Sequence, residues 1–323
     1  MRIGDMRIGT LCGALLASVL LAASLSTARA APALVIDAET GLVLYAEDID
    51  RLWHPASLTK LMTAYLAFEA MRDGRLSMED TLSVSPTAHA QPPSKIGLPI
   101  GAEMEISTAL RALMIKSAND VAVMFAEKIG GSVAGFAEMM NATAKRLGMT
   151  RSHFVNPHGL PDARQITTAR DMAILGRTLL REFPEHAPLY AESGFRLGSS
   201  YMRSHNSLLR VYEGADGMKT GFICDSGFNV VASATREGRQ LIAVVMGAYD
   251  SRSRTARASA LLDHAFDVYG WKALFAARLD HFGYGANLEA PAPKLRPLVC
   301  GNRSAALRLR EKRREETAAA TID

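Results

Sequence analysis

Pro55-Ala56-Ser57-Leu58-Thr59-Lys60-Leu61-Met62-Thr63-Ala64 opens a helical pattern. Pro55 stands just before its start, and Leu61, Met62, Tyr65, Leu66 and Phe68 recur at the spacing of one helix face up to Met71. Ser57 and Lys60 lie three apart, which puts hydroxyl and ammonium on one face, with Cβ atoms about 5–6 Å apart. Near a helix start Ser57 also gains free backbone N–H groups and their partial positive charge. A serine hydroxyl needs a neighbouring base, and a lysine whose pKa is lowered by burial or nearby cations can be one. Alone the pattern is weak. About one Ser-x-x-Lys is expected by chance in a chain this long, and a capped helix with an exposed lysine reads the same.

Two further short motifs stand downstream. Ser117-Ala118-Asn119 separates a helical stretch, Thr108 to Lys116, from another, Asp120 to Ile129. Serine can relay a proton, and asparagine offers a peptide both a donor and an acceptor. Ser204-His205-Asn206 repeats the pattern and acts as a decoy for it. Lys219-Thr220-Gly221 precedes Phe222 in a strand-like stretch. On an edge strand beside a cleft, the lysine supplies positive charge and the threonine a hydroxyl for a carboxylate. The glycine leaves room for close backbone approach. A cap or a turn would account for either motif taken singly.

Outward from these motifs, Leu34–Asp37 and Leu42–Tyr45 flank the Gly-containing turn Ala38-Glu39-Thr40-Gly41 and read as paired strands. The Pro- and Gly-rich segment from Ser77 to Gly101 reads as irregular loop. Ser132 is placed to cap a helix that Gly148 closes, and Thr168 to cap Ala169–Arg181. Asn156 to Asp162 is a loop. Phe228–Thr235 and Gln240–Ala248 form a hairpin around Glu237-Gly238, and the run Leu241–Met246 is apolar enough for burial on both faces. Ala256–Tyr269 makes a late helix. The expected fold is α/β: one antiparallel sheet formed by both chain ends, flanking helices, and an inserted all-helical lobe.

The chain has 323 residues, 48% hydrophobic and 22% charged, which excludes wholesale disorder, and its three cysteines exclude a disulfide-dense scaffold. A net charge of +4, with no basic stripe interleaved with aromatics, gives no expectation of nucleic-acid binding. Arg2 and Arg7, the apolar run Leu11–Leu25 and Ala28-Arg29-Ala30 read as an export signal over residues 1–30. Residues 31–285 form the expected catalytic domain. Residues 286–323, with Pro291, Pro293, Pro297 and a charged run from Arg308 to Glu316, read as a solvated tail. Cys224 and Cys300, the cysteines left after the signal, can form a disulfide in an oxidising compartment or remain two buried thiols. No His-Glu-x-x-His spacing occurs, and neither a metal nor another cofactor is expected.

Order and spacing give the three motifs their weight. Sixty residues separate Ser57 from Ser117, and 102 separate Ser117 from Lys219. Ser-x-x-Lys, a Ser-x-Asn element and Lys-Thr-Gly in this order are a signature of class A β-lactamases and penicillin-binding proteins. With Pro55–Ala64, Ser117–Asp120, His153–Leu160 and Asp216–Phe222, the chain resembles the low-molecular-mass penicillin-binding proteins, the serine D-alanyl-D-alanine carboxypeptidases, over roughly residues 33 to 275. The resemblance implies the serine β-lactamase/DD-peptidase-like fold. It implies Ser57 as nucleophile, Lys60 as general base and Ser117 as proton shuttle, with Asn119 orienting the substrate amide. Lys219 and Thr220 would hold the terminal carboxylate beside Gly221, and the Ser57 and Phe222 N–H groups would hold the oxyanion. Arg254 is the choice for a second carboxylate contact, with Arg252 behind it; His158 and Asp171 read as structural supports.

The implied partners are peptidoglycan stem peptides and, as covalent inhibitors, β-lactams, in a periplasmic or cell-envelope setting with membrane contact at most peripheral. Many members of the family carry a second, β-rich domain and an amphipathic membrane helix, and the 48 residues after 275 are too few for both. Three rival functions stand beside carboxypeptidase. A D,D-endopeptidase of wall cross-links would use the same motifs. A β-lactamase would need a deacylating Glu-x-x-Leu-Asn element, absent from residues 120 to 218. A silent muropeptide-binding protein would not need all five motif side chains.

Overall fold

The computed structural model describes residues 31–285, 288, 290–302, 307, 309 and 311. The expected export signal, residues 1–30, and most of the charged run from Arg308 lie outside the described residues. Strands β1 (Ala33–Asp37) and β2 (Val43–Glu47) lead to a 3-10 turn, Ala56–Thr59, which runs into helix α1 (Lys60–Arg72). Then come β3 (Thr81–Ser83), α2 (Pro86–His89), β4 (Glu103–Glu105) and α3 (Ile106–Arg111), the last continued by one π turn, Ala112–Lys116. Helices α4 (Asn119–Gly130), α5 (Val133–Arg146), α6 (Ala169–Glu182) and α7 (Ala187–Ala191) follow. Next are the hairpin β5 (Gly194–Leu197) and β6 (Ser200–Arg203) and the single-turn helix α8 (Leu208–Val211). The chain then forms β7 (Ala215–Ile223), β8 (Gly227–Arg236), β9 (Arg239–Ala248), α9 (Ser251–Lys272) and α10 (Arg296–Val299).

The main sheet has the order β2-β1-β9-β8-β7 and is antiparallel throughout. β1 is paired on both sides, with Ala33 opposite Glu47 of β2 and Val245 of β9, so the two ends of the chain close one sheet. Alternation along β9 divides the core. Ile242, Val244 and Met246 face the helical side, where Leu175 and Leu179 of α6 pack. Leu241, Ala243 and Val245 face α9 through Ala258, Leu261, Leu262 and Ala265. β9 is thus covered on both faces, and β7, which carries Lys219, is an edge strand.

Three differences from the sequence reading have local causes. Residues 77–101 are not all loop: β3 pairs Thr81 with Glu105 of β4, and the Ser85 side chain caps α2 at Ala88 N. These pieces of three or four residues are too short to show a period. The inserted lobe is therefore not all-helical, since it also contains the β3–β4 and β5–β6 pairs.

The third difference is in the tail. Composition reads it as solvated, yet Leu295 and Leu298 join the main core. A Cys224–Cys300 disulfide, the Leu295 N–H bond to Asp225 O (3.0 Å) and an Arg296–Asp225 ion pair fasten this segment just beyond β7. Two well-placed leucines and a covalent link outweigh the polar composition around them.

Candidate active site

Ser57 lies on the 3-10 turn immediately before α1, with Ala56 in the left-handed region at φ 50°. Backbone packs tightly around this turn. A Cβ built on Gly159 (φ 85°) would stand 1.8 Å from Ala56 O, and one on Gly221 would stand 2.8 Å from Pro55 O and 3.0 Å from Ser57 N. The close approach that Gly221 permits is therefore of β7 to the turn itself. Asn229 of β8 ties turn to sheet: Nδ2 donates to His54 O and Pro55 O, and Oδ1 accepts from Gly247 N.

Lys60, one residue beyond the turn, is completely buried. Its Nζ lies 3.1 Å from Ser57 Oγ, 2.8 Å from Asn119 Oδ1 and 2.9 Å from His158 O. Burial, and then the charge of Lys219, push its pKa well below the usual lysine value, with Asp120 pulling weakly the other way. A neutral amine has two N–H donors and one lone pair. Asn119 Oδ1 and His158 O accept the donors, which leaves the lone pair for the Ser57 hydroxyl. His158 is itself held neutral, its pKa down to about 3 through burial and the proximity of Lys60.

The π turn ends at Ser117 in the left-handed conformation (φ 63°), a strained position for a residue with a Cβ. Lys219 Nζ donates to Ser117 Oγ at 3.0 Å and to Thr220 O at 3.0 Å. Burial and the charge of Arg254 bring the Lys219 pKa down to about 7. Arg254, at the start of α9, is 4% exposed, lowered to about 10 by burial, and donates from Nη2 to His205 O at 3.2 Å. Ser57, Ser117, Asn119, Thr220, Gly221 and Arg254 all open onto one groove of about 550 Å³, with Lys60 and Lys219 beneath its floor. Phe222 lines it too, 43% exposed and packed on Phe228 at 4.3 Å between centroids.

Of the other sequence candidates, Arg252 is exposed and does not line the groove. Asp171 lies apart, accepting from Arg151 N and Ser152 Oγ, with its carboxyl pushed up to about 6 by burial. Asp120, to which the sequence assigns no role because nothing in its spacing marks one, is a positioning residue. Its carboxylate accepts from Ile96 N and Gly97 N and holds the 94–97 loop against the Ser117 turn. Ser204 and His205, read as a decoy, instead help to line the groove, while Asn206 donates to Gly217 O. Among the described residues no three His, Cys, Asp or Glu side chains gather as metal ligands.

The family model described as D-alanyl-D-alanine carboxypeptidase, peptidase S11, matches residues 20–250. The chain belongs to this family. D-alanyl-D-alanine carboxypeptidase DacA of Haemophilus influenzae is 35% identical over 237 residues, 72% of this chain and 60% of that protein. The crystal structure of penicillin binding protein 5 from Haemophilus influenzae superposes with a TM-score of 0.71 at 34% identity, covering 74% of this chain and 71% of that one. Penicillin-binding protein D2 from Listeria monocytogenes, in its cefotaxime-bound form, gives 0.67 at 30% identity, covering 73% of this chain and 97% of that one. The sheet order and two-sided core described above are thus those of the DD-peptidase fold. The chain spans about 60% of the length of the curated carboxypeptidases it matches most strongly.

Proposed function

We propose that this chain is a serine D-alanyl-D-alanine carboxypeptidase that removes the terminal D-alanine of peptidoglycan stem pentapeptides through an acyl-enzyme on Ser57. One observation carries the reading: a fully buried Lys60 Nζ 3.1 Å from Ser57 Oγ, its two donors engaged by Asn119 Oδ1 and His158 O. In this arrangement Lys60 accepts the Ser57 proton as Oγ bonds to the carbonyl carbon between the two D-alanines. The developing oxyanion lies between the backbone N–H groups of Ser57 and Phe222; losing such a donor costs about 10²–10³ in rate. Ser117, which accepts from Lys219 Nζ, passes a proton to the leaving nitrogen as the C–N bond breaks. Water then hydrolyses the ester.

Lys219, Thr220 and Arg254 hold the substrate's terminal carboxylate, and Asn119 orients its amide. That carboxylate also restores charge to Lys219, whose free pKa of about 7 leaves it half protonated at neutral pH. A β-lactam presents the same carboxylate and a strained amide, so it acylates the same serine.

The reading extends to residues 31–285 as the catalytic domain and to export before function. The Cys224–Cys300 disulfide fits an oxidising compartment, and among the described residues no helix is long and apolar enough to cross a membrane. The test uses purified residues 31–323. Release of D-alanine from a pentapeptide and covalent penicillin labelling are expected, and Ser57→Ala abolishes both. Labelling that persists in Ser57→Ala would show that the nucleophile lies elsewhere. Penicillin turnover at many cycles per second would make the chain a β-lactamase instead.

A further inference from the structure

Lys60 owes its free lone pair to two acceptors, and the two are held in different ways. Asn119 Oδ1 is fixed through its own amide, whose Nδ2 donates to Pro92 O at 2.9 Å. His158 O belongs to the loop between α5 and α6, where residues 154–165 form neither helix nor strand. The base of that loop is fastened by the Trp53–Thr167 and His153–Ile166 bridges. Nearer its tip, Thr63 Oγ1 of α1 donates to Pro157 O at 2.6 Å. Gly159, where a Cβ would strike Ala56 O, lets the tip press against the nucleophile turn.

Gln165 is where loop and turn meet. It is buried, and its amide has two donors and two acceptor positions, all of them engaged. Oε1 accepts from Val155 N at 2.7 Å and Asn156 N at 3.2 Å. Nε2 donates to Asn156 O at 3.3 Å and to Thr59 Oγ1 at 2.9 Å. Three of these bonds fix consecutive peptide groups, from Phe154–Val155 to Asn156–Pro157, which lead directly into His158. The fourth reaches a completely buried residue of the nucleophile turn, the neighbour of Lys60. The Gln165 carbonyl also lies 2.9 Å from Nδ1 of His54, just before that turn. Thr63 fixes a single carbonyl oxygen, whereas the Gln165 amide fixes how the chain enters it. A side chain serving the loop alone would have no bond to Thr59.

Resting on the acyl-enzyme reading above, we propose that Gln165 is a positioning residue for the general base: through Thr59 and the peptides of residues 154–157 it holds His158 O against Lys60 Nζ, so that the lysine lone pair points at Ser57 Oγ. Gln165 does not line the groove and acts only through these neighbours. With the clamp cut, His158 O moves off Nζ and water takes its place. The amine then loses its direction and part of its dehydration together. The titratable groups around Lys60 are Lys219 on β7, Asp120 on α4 and the neutral imidazole of His158, and the clamp moves only the last. Misplacing a catalytic group by about 1 Å costs up to about 10²-fold in rate.

The experiment measures three quantities on the full mature chain with labelled penicillin: the limiting acylation rate, the half-saturating concentration and the pH at which the rate reaches its plateau. In Gln165→Ala the limiting rate falls about tenfold or more, and the plateau moves to higher pH. The half-saturating concentration stays within about twofold, because Lys219, Thr220 and Arg254 are untouched. Thr59→Val, which removes only the acceptor at the turn, gives the same pattern, and Thr59→Ser, which keeps it, restores most of the rate. Should Gln165→Ala fail to fold, the two Thr59 variants decide. A smaller labelled fraction with rate and pH profile unchanged shows a clamp that serves folding alone and overturns the proposal. Equal loss in Thr59→Val and Thr59→Ser, or a half-saturating concentration that rises as the rate falls, overturns it too. Absence of a penicillin adduct on Ser57 in the parent overturns the underlying acyl-enzyme reading, and the positioning role with it.

Discussion

Lys60 is the residue on which chemistry and stability pull in opposite directions. Its burial holds the folded-state pKa well below the unfolded value of about 10.4, so between those two values the folded chain has given up a proton that the unfolded chain keeps. Stability tied to such a group is present only above the unfolded pKa and is lost as pH falls toward the folded one. Lys60→Met therefore abolishes acylation, and its stability relative to the parent improves as pH falls below about 10. That advantage shrinks as pH rises toward about 10. Asn119 Oδ1 and His158 O lose a donor, which offsets the curve without changing its slope. Urea denaturation of both proteins at several pH values measures it, and a pH-independent difference would show that the amine is not held neutral.

His158 gives a second titration. With a folded pKa of about 3 against an unfolded value of about 6.5, its stabilising contribution is complete above pH 6.5 and drains away as pH falls toward 3. Asp171, raised to about 6, acts oppositely between its unfolded value and pH 6. The comparison of parent with His158→Gln isolates the histidine. The variant is expected to lose stability less steeply between pH 6.5 and 4; parallel curves would place the imidazole in solvent. At this scale the five motif side chains were legible because their chemistry demands short local spacing. Arg210 carries no such pattern, and His205 lies inside a second Ser-x-Asn element; both reach the groove only through tertiary packing.

Between elements, the decisive contact is β7 lying on the nucleophile turn. Gly221→Ala inserts a methyl 2.8 Å from Pro55 O and 3.0 Å from Leu58 N, against backbone that Asn229 already fixes to the sheet. Overpacking of this kind costs about 1–3 kcal/mol, and relief requires moving Ser57 or Phe222, the two N–H groups assigned to the oxyanion. The variant should acylate at least about tenfold more slowly, by the measure of one weakened oxyanion donor. An unchanged acylation rate would mean that strand and turn separate without consequence.

The long elements were legible in the sequence, since α1, α5, α6 and the β8–β9 hairpin carry full periods and recognisable caps such as Ser132 and Thr168. β3, β4 and the β5–β6 hairpin were not, because three or four residues cannot display a period and their pairing is set by neighbours. The π turn at Ala112–Lys116 was equally hidden: its letters read as ordinary helix, and only the widened turn delivers Ser117 in a left-handed conformation.

For the whole molecule, the sheet joins β1 to β9, and the disulfide ties the C-terminal segment to the turn after β7. β1 between β2 and β9 was foreseeable because strand patterns stand at both ends of the chain around a helical middle, which one sheet joins most economically. The docked tail was not, because composition averages over Leu295 and Leu298 and spacing alone leaves Cys224 and Cys300 free to pair or not. Their bridge closes a span of 76 residues, and removing it with Cys224→Ala and Cys300→Ala should cost roughly 2–4 kcal/mol in reversible unfolding. Penicillin acylation should persist in that double variant, because the Lys60–Ser57 and Lys219–Ser117 hydrogen bonds do not involve the tail. Loss of acylation with the fold intact would show that the tail positions β7.

The most direct trial of an uncharged lysine activating Ser57 is the acylation rate at saturating penicillin as a function of pH, with the labelled peptide identified by mass. The rate should reach its plateau well below the ordinary lysine pKa of about 10.4, with the adduct on Ser57. A rate still climbing through pH 10, or an adduct on another residue, would contradict it.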